Sequence, residues 1–225
     1  MKAIIVIPAR GGSKRLPRKN ILPLAGEPLI LHTISYAKQE CPDFPIVVST
    51  DDKEIKQISE DAGVVVIDRP EELAGDFVTS ASVMRHATAH LIDSGYEFDF
   101  VILLQVTNPL RPKGLIKEAM RIIQKGANDS LFTVSRSDKK LGKIIDGQFI
   151  PWNYKYGMRS QDMEPLYYEN GLLYITSKEL LLQDIIEGPT AFPMVVDHPF
   201  GDVDIDTIDD FEYANYMLTH YGENK

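Results

Sequence analysis

Apolar residues in the first half of the chain form short continuous runs, and longer segments with helical spacing separate them. The runs AIIVI (3–7), PIVVST (45–50), GVVVID (63–68) and FVILLQV (100–106) are rich in β-branched residues. A run of this kind is typical of a strand that is buried on both faces of a sheet. The pattern therefore predicts four central strands.

The segments between these strands carry apolar residues three and four positions apart. They predict helices over residues 28–39, 53–63, 80–95 and 113–126, and the last three end on glycine, a common helix terminator. Strands that alternate with helices of this length indicate βαβ units with right-handed crossovers. We therefore expect an α/β fold in three layers, with a mostly parallel, twisted sheet between two layers of helices.

The pattern changes after about residue 135. Residues 136–170 are polar and aromatic, and GKIIDGQFI within them predicts a hairpin that turns at Asp146 and Gly147. The run GLLYIT (171–176) indicates a return to the sheet. We interpret residues 1–225 as a single domain that carries 136–170 as an inserted arm. Because the apolar side chains of such an arm need a cover, we expect a homodimer.

Composition and charge narrow the possible functions. The chain has 225 residues, of which 44% are hydrophobic and 25% charged, and its net charge of −9 argues against general binding to nucleic acid or acidic membranes. A single cysteine, Cys41, fits a reducing compartment. The opening MKAIIVI is too short for a secretory signal, and no apolar run approaches the roughly 20 residues of a membrane span. We therefore expect a cytoplasmic protein.

The segment IPARGGSKRLPRKN (7–20) concentrates positive charge directly after the first strand. Its five cations are Arg10, Lys14, Arg15, Arg18 and Lys19. In doubly wound sheets, ligands bind beyond the carboxyl ends of the strands, and exposed backbone N–H groups with nearby cations form a phosphate site. The glycine spacing matches neither a Walker A loop nor G-x-G-x-x-G. The alternative is a solvated basic loop.

The segment GDVDIDTIDDFEYA (201–214) alternates carboxylates with apolar residues. In an extended segment, Asp202, Asp204 and Asp206 point to one face and repel one another unless a cation neutralises them. Magnesium prefers such oxygen ligands, with waters and phosphates completing its shell. The alternative is that residues 207–210 start a helix, whose dipole favours acids there. Both interpretations hold if Asp204 and Asp206 bind Mg²⁺ and the following residues cap the helix.

These segments resemble the CMP-sialic acid synthetases (acylneuraminate cytidylyltransferases). The similar blocks, which span nearly the whole chain in the same order, are IPARGGSKRLPRKN, VVSTDD, DRPEELAGDFVTS, LLQVTNPLR, YYENGLLYIT and DIDT. The resemblance implies a Rossmann-like nucleotidyltransferase fold, similar to GT-A, with an arm for dimerisation and sugar binding. It also implies that CTP and a nine-carbon 2-keto-3-deoxy sugar acid react with Mg²⁺ to give the CMP-sugar and pyrophosphate.

The resemblance further implies a role for each matching residue. The catalytic residues would be Arg10, Lys19 and Asp206, and the magnesium ligands would be Asp204 and Asp206. The nucleotide site would comprise Ala9, Arg10, Gly11, Ser13, Lys19, Asn20, Thr50, Asp51, Arg69 and Ser80. The sugar acid would contact Gln105, Arg159, Tyr168 and Asn170.

The chain departs from the usual pattern of these synthetases at two places on the acceptor side. Residues 106–109 read VTNP where proline-threonine-serine-proline is common, and residues 159–161 read RSQ where two consecutive arginines are usual. The acceptor therefore stays open among N-acetylneuraminate, its deaminated analogue, and legionaminate- or pseudaminate-like sugars. The alternatives are a 3-deoxy-octulosonate cytidylyltransferase, a nucleotide-sugar glycosyltransferase that uses DVD as its metal motif, and a non-catalytic nucleotide-binding module.

Overall fold

The structure is a computed structural model that describes residues 1–221 of the chain. In chain order the strands are β1 (Ala3–Pro8), β2 (Pro23–Leu24), β3 (Glu27–Pro28), β4 (Ile46–Thr50), β5 (Val65–Asp68), β6 (Phe100–Leu103), β7 (Ser130–Ser137), β8 (Gly142–Ile145), β9 (Gln148–Pro151), β10 (Leu166–Ser177) and β11 (Phe192–Val195). The α-helices are α1 (Leu29–Glu40), α2 (Lys53–Asp61), α3 (Ser80–Asp93), α4 (Leu115–Lys125), α5 (Lys178–Leu181) and α6 (Ile208–Tyr221). All four predicted strands and all four predicted helices are present.

The main sheet has the strand order β11-β7-β10-β6-β1-β4-β5. Four of its six pairings are parallel, which confirms the mostly parallel sheet. The reversed strand is β10, which pairs antiparallel with both β6 and β7. Because β1, β4, β5 and β6 run in the same direction, the loops that follow them meet at one edge of the sheet.

Helices cover both faces of this sheet and give the expected three layers. Ile5 and Ile7 of β1 pack in a core with α1, α2, α4 and α6, whereas Ile4 and Val6 pack with α3 and α5. Side chains alternate across a strand, so an apolar run such as AIIVI supplies both cores at once. No helix within residues 1–221 combines the length and apolar character that a bilayer crossing requires.

A hairpin arm, residues 138–165, leaves the sheet between β7 and β10. It is shorter than the predicted insertion because β7 continues to Ser137 and β10 begins at Leu166. Strands β8 and β9 pair around Asp146 and Gly147, which both have positive φ, as a tight two-residue hairpin turn requires. Large apolar side chains of the arm are exposed, with Ile144 at 78% and Trp152 at 64% of their full surface.

Three features differ from the sequence-based expectations. Strands β7 and β11 were not predicted, and β6 ends at Leu103, so Gln105 lies beyond the strand. The extended segment expected to begin before Asp202 starts later, because Pro199–Asp202 forms a 3-10 helix that the ring of His198 caps. Burial nevertheless alternates from Val203 to Asp206, with the carboxylates less buried than their apolar neighbours.

Candidate active site

A cleft of about 560 Å³ lies at the edge of the sheet where the strands β1, β5 and β6 end. Its walls are formed by parts of the segments 8–20, 73–80 and 105–107, together with Arg69 and Asp206. We call residues 9–20 the cationic loop. The cationic loop thus lines a cleft at the carboxyl edge of the parallel strands, which is where this type of sheet binds ligands.

The cationic loop is joined to the far end of the chain through Lys19. The Lys19 ammonium donates to Asp206 Oδ1 at 2.8 Å and to the Ile205 carbonyl at 2.6 Å, and the residue is only 8% exposed. Arg15 Nη2 donates to the second oxygen, Asp206 Oδ2, at 2.6 Å. Two of the predicted catalytic residues, Lys19 and Asp206, are thus in direct contact at the wall of the cleft.

A second set of contacts joins the cationic loop to the segment 73–80. Arg10 Nη1 donates to the Gly75 carbonyl at 3.0 Å and lies 3.2 Å from Asp76 Oδ1. Lys14 forms an ion pair with the same carboxylate of Asp76. The side-chain amide of Asn20, itself buried, donates to the Arg10 carbonyl at 2.9 Å and so fixes the backbone that carries Arg10.

The other side of the cationic loop packs on the start of α2, and Gly11 is required there. A Cβ atom at Gly11 would lie 2.6 Å from Asp52 Oδ2, and Asp52 is held in place because its carboxylate caps α2. The Gly11 N–H also donates to Asp51 Oδ1 at 3.0 Å. Within residues 1–221 the corresponding position at Gly12 has no neighbour inside 4 Å.

Three of the predicted nucleotide contacts support the loop from behind the wall of the cleft. Ala9 is fully buried and donates its N–H to the Ser49 carbonyl at 2.9 Å. The Thr50 hydroxyl accepts the Asp52 N–H at 3.1 Å, and Asp51 receives the Gly11 N–H described above. Their position fits a role in shaping the loop.

Arg69 and the start of α3 add further positive potential to the cleft. Arg69 is buried and donates to the Ser49 carbonyl at 2.7 Å. Burial lowers its pKa to about 10, so the guanidinium stays charged at neutral pH. Ser80 opens α3, whose first turn Thr79 caps by accepting the Ser82 N–H at 3.2 Å. A helix N-terminus beside a cation favours an anion.

The acidic pair at the end of the chain lies next to these cations. The pKa of Asp204 is raised, first because burial removes water from its carboxylate and then because Asp206 and Asp210 repel its charge. Asp210 accepts the N–H groups of Asp206 and Thr207 at 3.0 and 2.8 Å and so orders the turn before α6. Metal binding by Asp204 and Asp206 and capping of α6 are therefore compatible.

The residues at this point fit a magnesium ion that also binds phosphate. Asp204 and Asp206 offer hard oxygen donors, and a cation would relieve the repulsion that raises the pKa of Asp204. The part of the chain that the structure describes contains no cluster of three or more acidic, histidine or cysteine ligands. A cation would therefore complete its shell with water and phosphate oxygens, as Mg²⁺ commonly does.

Of the four residues predicted to contact the sugar acid, Gln105 lines the cleft. Tyr168 lies on the exposed part of β10, and its hydroxyl donates to Asp202. Arg159 lies on the hairpin arm and forms an ion pair with Asp162 at 2.8 Å. The single chain therefore does not bring Arg159 to the wall of the cleft that Gln105 forms.

Asn170, the fourth predicted sugar contact, is 5% exposed and bonded on every side to the protein. Its side chain accepts from the Thr133 hydroxyl at 2.6 Å and donates to Ser135 Oγ at 3.0 Å. Its carbonyl accepts from the side chain of Asn108 at 3.1 Å. The structure places Asn170 as a junction between β7, β10 and the loop after β6.

Asn108 was not assigned a role from the sequence, although it is one of the positions that depart from the usual pattern. It is fully buried, and its Nδ2 also donates to the Val203 carbonyl at 2.9 Å, which ties the acidic segment to the Gln105 loop. A Cβ at Gly171, where φ is +71°, would lie 2.8 Å from Asn108 Oδ1. The available signal was the place of Asn108 in VTNP, one of the two positions of that block at which the chain departs from the usual pattern.

Arg111 was also missed, and it is buried without a carboxylate partner among the described residues. Its guanidinium donates to the carbonyls of Gln105 and Leu172 at 2.7 Å each. Burial lowers its pKa to about 10. Arg111 thus clamps the Gln105 loop onto β10.

Arg18 is the cation of the loop that pairs outside the cleft. Arg18, which has a positive φ of 57°, pairs with Asp52 and Glu54 beside α2. The other four cations line the cleft, where, among the described residues, they pair with only two carboxylates, those of Asp76 and Asp206.

The chain matches the family model described as cytidylyltransferase over residues 4–219. An N-acylneuraminate cytidylyltransferase from Streptococcus agalactiae serotype III (strain NEM316) is 37% identical over 221 residues, which cover 94% of this chain and 52% of that protein. The chain therefore spans about half the length of this relative. A pseudaminic acid cytidylyltransferase from Campylobacter jejuni subsp. jejuni serotype O:2 is 33% identical, and 98% of each chain is covered.

The fold also matches that of solved structures. A structure of CMP:2-keto-3-deoxy-manno-octonic acid synthetase complexed with CTP has a TM-score of 0.72, with 97% of this chain and 99% of that chain covered. The two sequences are 18% identical, so this likeness concerns the fold. It agrees with the Rossmann-like nucleotidyltransferase architecture expected from the sequence.

Proposed function

The chain belongs to the cytidylyltransferase family, and we propose that it transfers CMP from CTP to the anomeric hydroxyl of a nonulosonic acid with release of pyrophosphate. The observation that carries the proposal is the contact between Lys19 and Asp206 at the wall of the cleft. In this contact a buried ammonium, which would bind phosphate, lies beside a carboxylate, which would bind the metal ion. Two relatives named for acylneuraminate and pseudaminate support a sugar acid of this class.

In this proposal the cationic loop holds the triphosphate. Arg10, Lys14 and Lys19 neutralise its charge, and Arg69 with the start of α3 extends the positive surface towards the nucleoside. When the anomeric hydroxyl attacks the α-phosphorus, charge develops on the departing pyrophosphate. Contacts with the carbonyls of Gly75 and Ile205 already hold Arg10 and Lys19 at the cleft, so both are in position to stabilise that charge.

Asp204 and Asp206 would hold Mg²⁺ together with phosphate oxygens. The ion would polarise the α-phosphate and lower the pKa of the attacking hydroxyl. Lys19 and Arg15 each donate to one oxygen of Asp206 and thereby orient its carboxylate. The Gln105 loop, clamped by Arg111, would position the acceptor sugar on the adjacent wall.

We also propose that the protein is a homodimer formed through the hairpin arm. Ile144, Trp152 and Tyr156 expose more than half of their surface in the single chain, and apolar groups so arranged favour a protein partner. The arm also carries Arg159, the arginine expected to bind the carboxylate of the sugar acid. We place the reaction in the cytoplasm, because a lone cysteine fits a reducing compartment.

The test is pyrophosphate release with CTP and Mg²⁺ across a panel of 2-keto-3-deoxy acids with eight or nine carbons. We expect turnover with a nine-carbon acid, and a loss of about a hundredfold or more in Lys19→Ala and Asp206→Ala. Lys56→Ala is the matched control, because Lys56 pairs with the exposed Asp68 outside the cleft. Turnover with 3-deoxy-octulosonate alone would move the proposal to the eight-carbon acceptors, and no release with any acid would refute it.

A further inference from the structure

Asp76 lines the cleft and has no part in the roles described above. Its carboxylate lies between two cations of the loop, 3.2 Å from Arg10 Nη1 and in an ion pair with Lys14. The pKa of Asp76 is lowered, first by the hydrogen bond from Lys14 and then by the charges of Lys14 and Arg10. The carboxylate is therefore charged at neutral pH, on the surface where a triphosphate would bind.

Arg10 does not depend on Asp76 for its position. Its guanidinium also donates to the carbonyls of Ala74 and Gly75 at 3.4 and 3.0 Å, and its own carbonyl is held by Asn20. None of these contacts uses the carboxylate of Asp76. The effect of Asp76 on a bound anion can therefore be separated from an effect on the loop.

We propose that Asp76 competes with polyphosphate for Arg10 and Lys14, which weakens triphosphate binding and speeds the departure of pyrophosphate. The inference rests on the proposed function only in that the cleft must bind a polyphosphate. Partly exposed ion pairs such as these are weak, so an anion with several charges displaces the single carboxylate. After the transfer, the same carboxylate competes with a product that is less firmly held than the substrate.

Competition between Asp76 and the product for these cations would increase the rate of turnover. Four cations of the loop line the cleft, and tight binding of the product by such a surface would make its release the slow step. A carboxylate that pairs again with Arg10 and Lys14 lowers the affinity for both substrate and product. Asp76 would thus limit how tightly the cationic loop can hold pyrophosphate.

The test is isothermal titration of tripolyphosphate, without magnesium, into the full chain and three variants. Asp76→Asn should bind about three- to tenfold more tightly than the wild type, because it leaves Arg10 and Lys14 free for the anion. Asp76→Glu keeps the charge and should stay within about twofold of the wild type. Glu71→Gln removes one charge from the turn that precedes the segment 73–80. Among the described residues, the ion pairs of Arg10 and Lys14 involve Asp76 and not Glu71, so this variant should also stay within about twofold.

Unchanged or weaker binding of tripolyphosphate by Asp76→Asn would overturn the proposal. An equal gain in affinity in Glu71→Gln would also overturn it, because the effect would then come from the net charge of the protein and not from the two ion pairs. Tripolyphosphate carries neither a base nor a sugar, so this result is independent of whether CTP and a sugar acid are the substrates. A second measurement is product inhibition during turnover. Pyrophosphate should inhibit Asp76→Asn at about three- to tenfold lower concentration than the wild type, and an unchanged inhibition constant would refute the role in release.

Discussion

The cationic loop and the hairpin arm are both excursions from the sheet, but different contacts hold them. The cationic loop is polar, and residues distant in the chain fix it: Lys19 is buried against Ile205 and Asp206. The hairpin arm is rich in apolar residues, and its polar contacts are local, such as the one between Asn153 and the Leu141 N–H. The comparison teaches that contacts within one chain tie the polar loop to distant residues, whereas the exposed apolar side chains of the arm lack such cover within residues 1–221.

In the proposed homodimer, a charge on the hairpin arm should weaken the association and leave the fold of the single chain unchanged. Ile144→Glu places a carboxylate at a position where the side chain is 78% exposed. We expect the dissociation constant of the dimer to rise about a hundredfold or more, and the melting temperature of the dilute protein to stay unchanged. Sedimentation velocity measures the association. Trp152, the single tryptophan, gives a second signal, since its emission should shift to the blue as the dimer forms.

Val65→Glu is the matched control, because it alters an apolar residue that is 48% exposed on the edge strand β5. It should leave the association constant as in the wild type. A monomeric wild-type protein at high concentration, or equal association of Ile144→Glu, would contradict the dimer.

The cationic loop should be sensitive to a single methyl group at one glycine and indifferent to it at the next. Gly11→Ala brings a Cβ to 2.6 Å from the carboxylate that caps α2, so the loop must shift, and we expect tripolyphosphate binding to weaken about tenfold. Gly12→Ala meets no atom within 4 Å in the described part of the chain and should bind as the wild type does. Equal affinities for the two variants would show that α2 does not fix the loop.

The anchoring of the site should extend to Asn108, which lies behind the cleft. Asn108→Ala leaves the buried carbonyls of Val203 and Asn170 without a donor, and we expect a loss of about 1–3 kcal/mol, or about 5 °C in melting temperature. Calorimetry measures the change. Asn215→Ala is the control, because that side chain is partly exposed on α6, and a similar loss there would contradict the role of the network.

The smallest effect concerns Asp204, where stability and the proposed function oppose each other. A raised pKa means that the folded chain binds this proton more tightly than the unfolded chain, so stability falls as the pH rises through the folded pKa. Asp204→Asn should therefore melt slightly higher at pH 7, by about 1 °C because solvent screens the charge, and the gain should vanish as the pH falls below 3.8. A lower melting temperature at pH 7 would contradict the repulsion from Asp206 and Asp210.

The sequence predicted the strands whose own residues carry a clear apolar pattern. β1 and β6 are continuous apolar runs because both faces are buried, so composition alone identified them. β7 was missed because its buried serine and threonine side chains, among them Thr133 and Ser135, serve the polar network around Asn170. β11 was missed because it is a mostly exposed edge strand that contains Pro193.

In the candidate site, likewise, features within one short segment were predicted and contacts between distant segments were not. The cationic loop and the acidic pair were found because their charges are clustered in the sequence. The partners of those charges could not be predicted, because the ion pair of Arg10 with Asp76 joins segments that are far apart in the chain. The diversion of Arg18 towards Asp52 and Glu54 likewise depends on where α2 begins in space.

The contact between Lys19 and Asp206 also bears on how the chain is synthesised. The two residues are 187 positions apart, so nearly the whole polypeptide must leave the ribosome before the site can close. β4 and β6 pair with the two edges of β1, and both are synthesised after it. Until they have been made, the apolar run of β1 is exposed to incorrect pairing. In a nascent chain the cationic loop is thus synthesised early and Asp206 late, so an interrupted product lacks the carboxylate that pairs with Lys19.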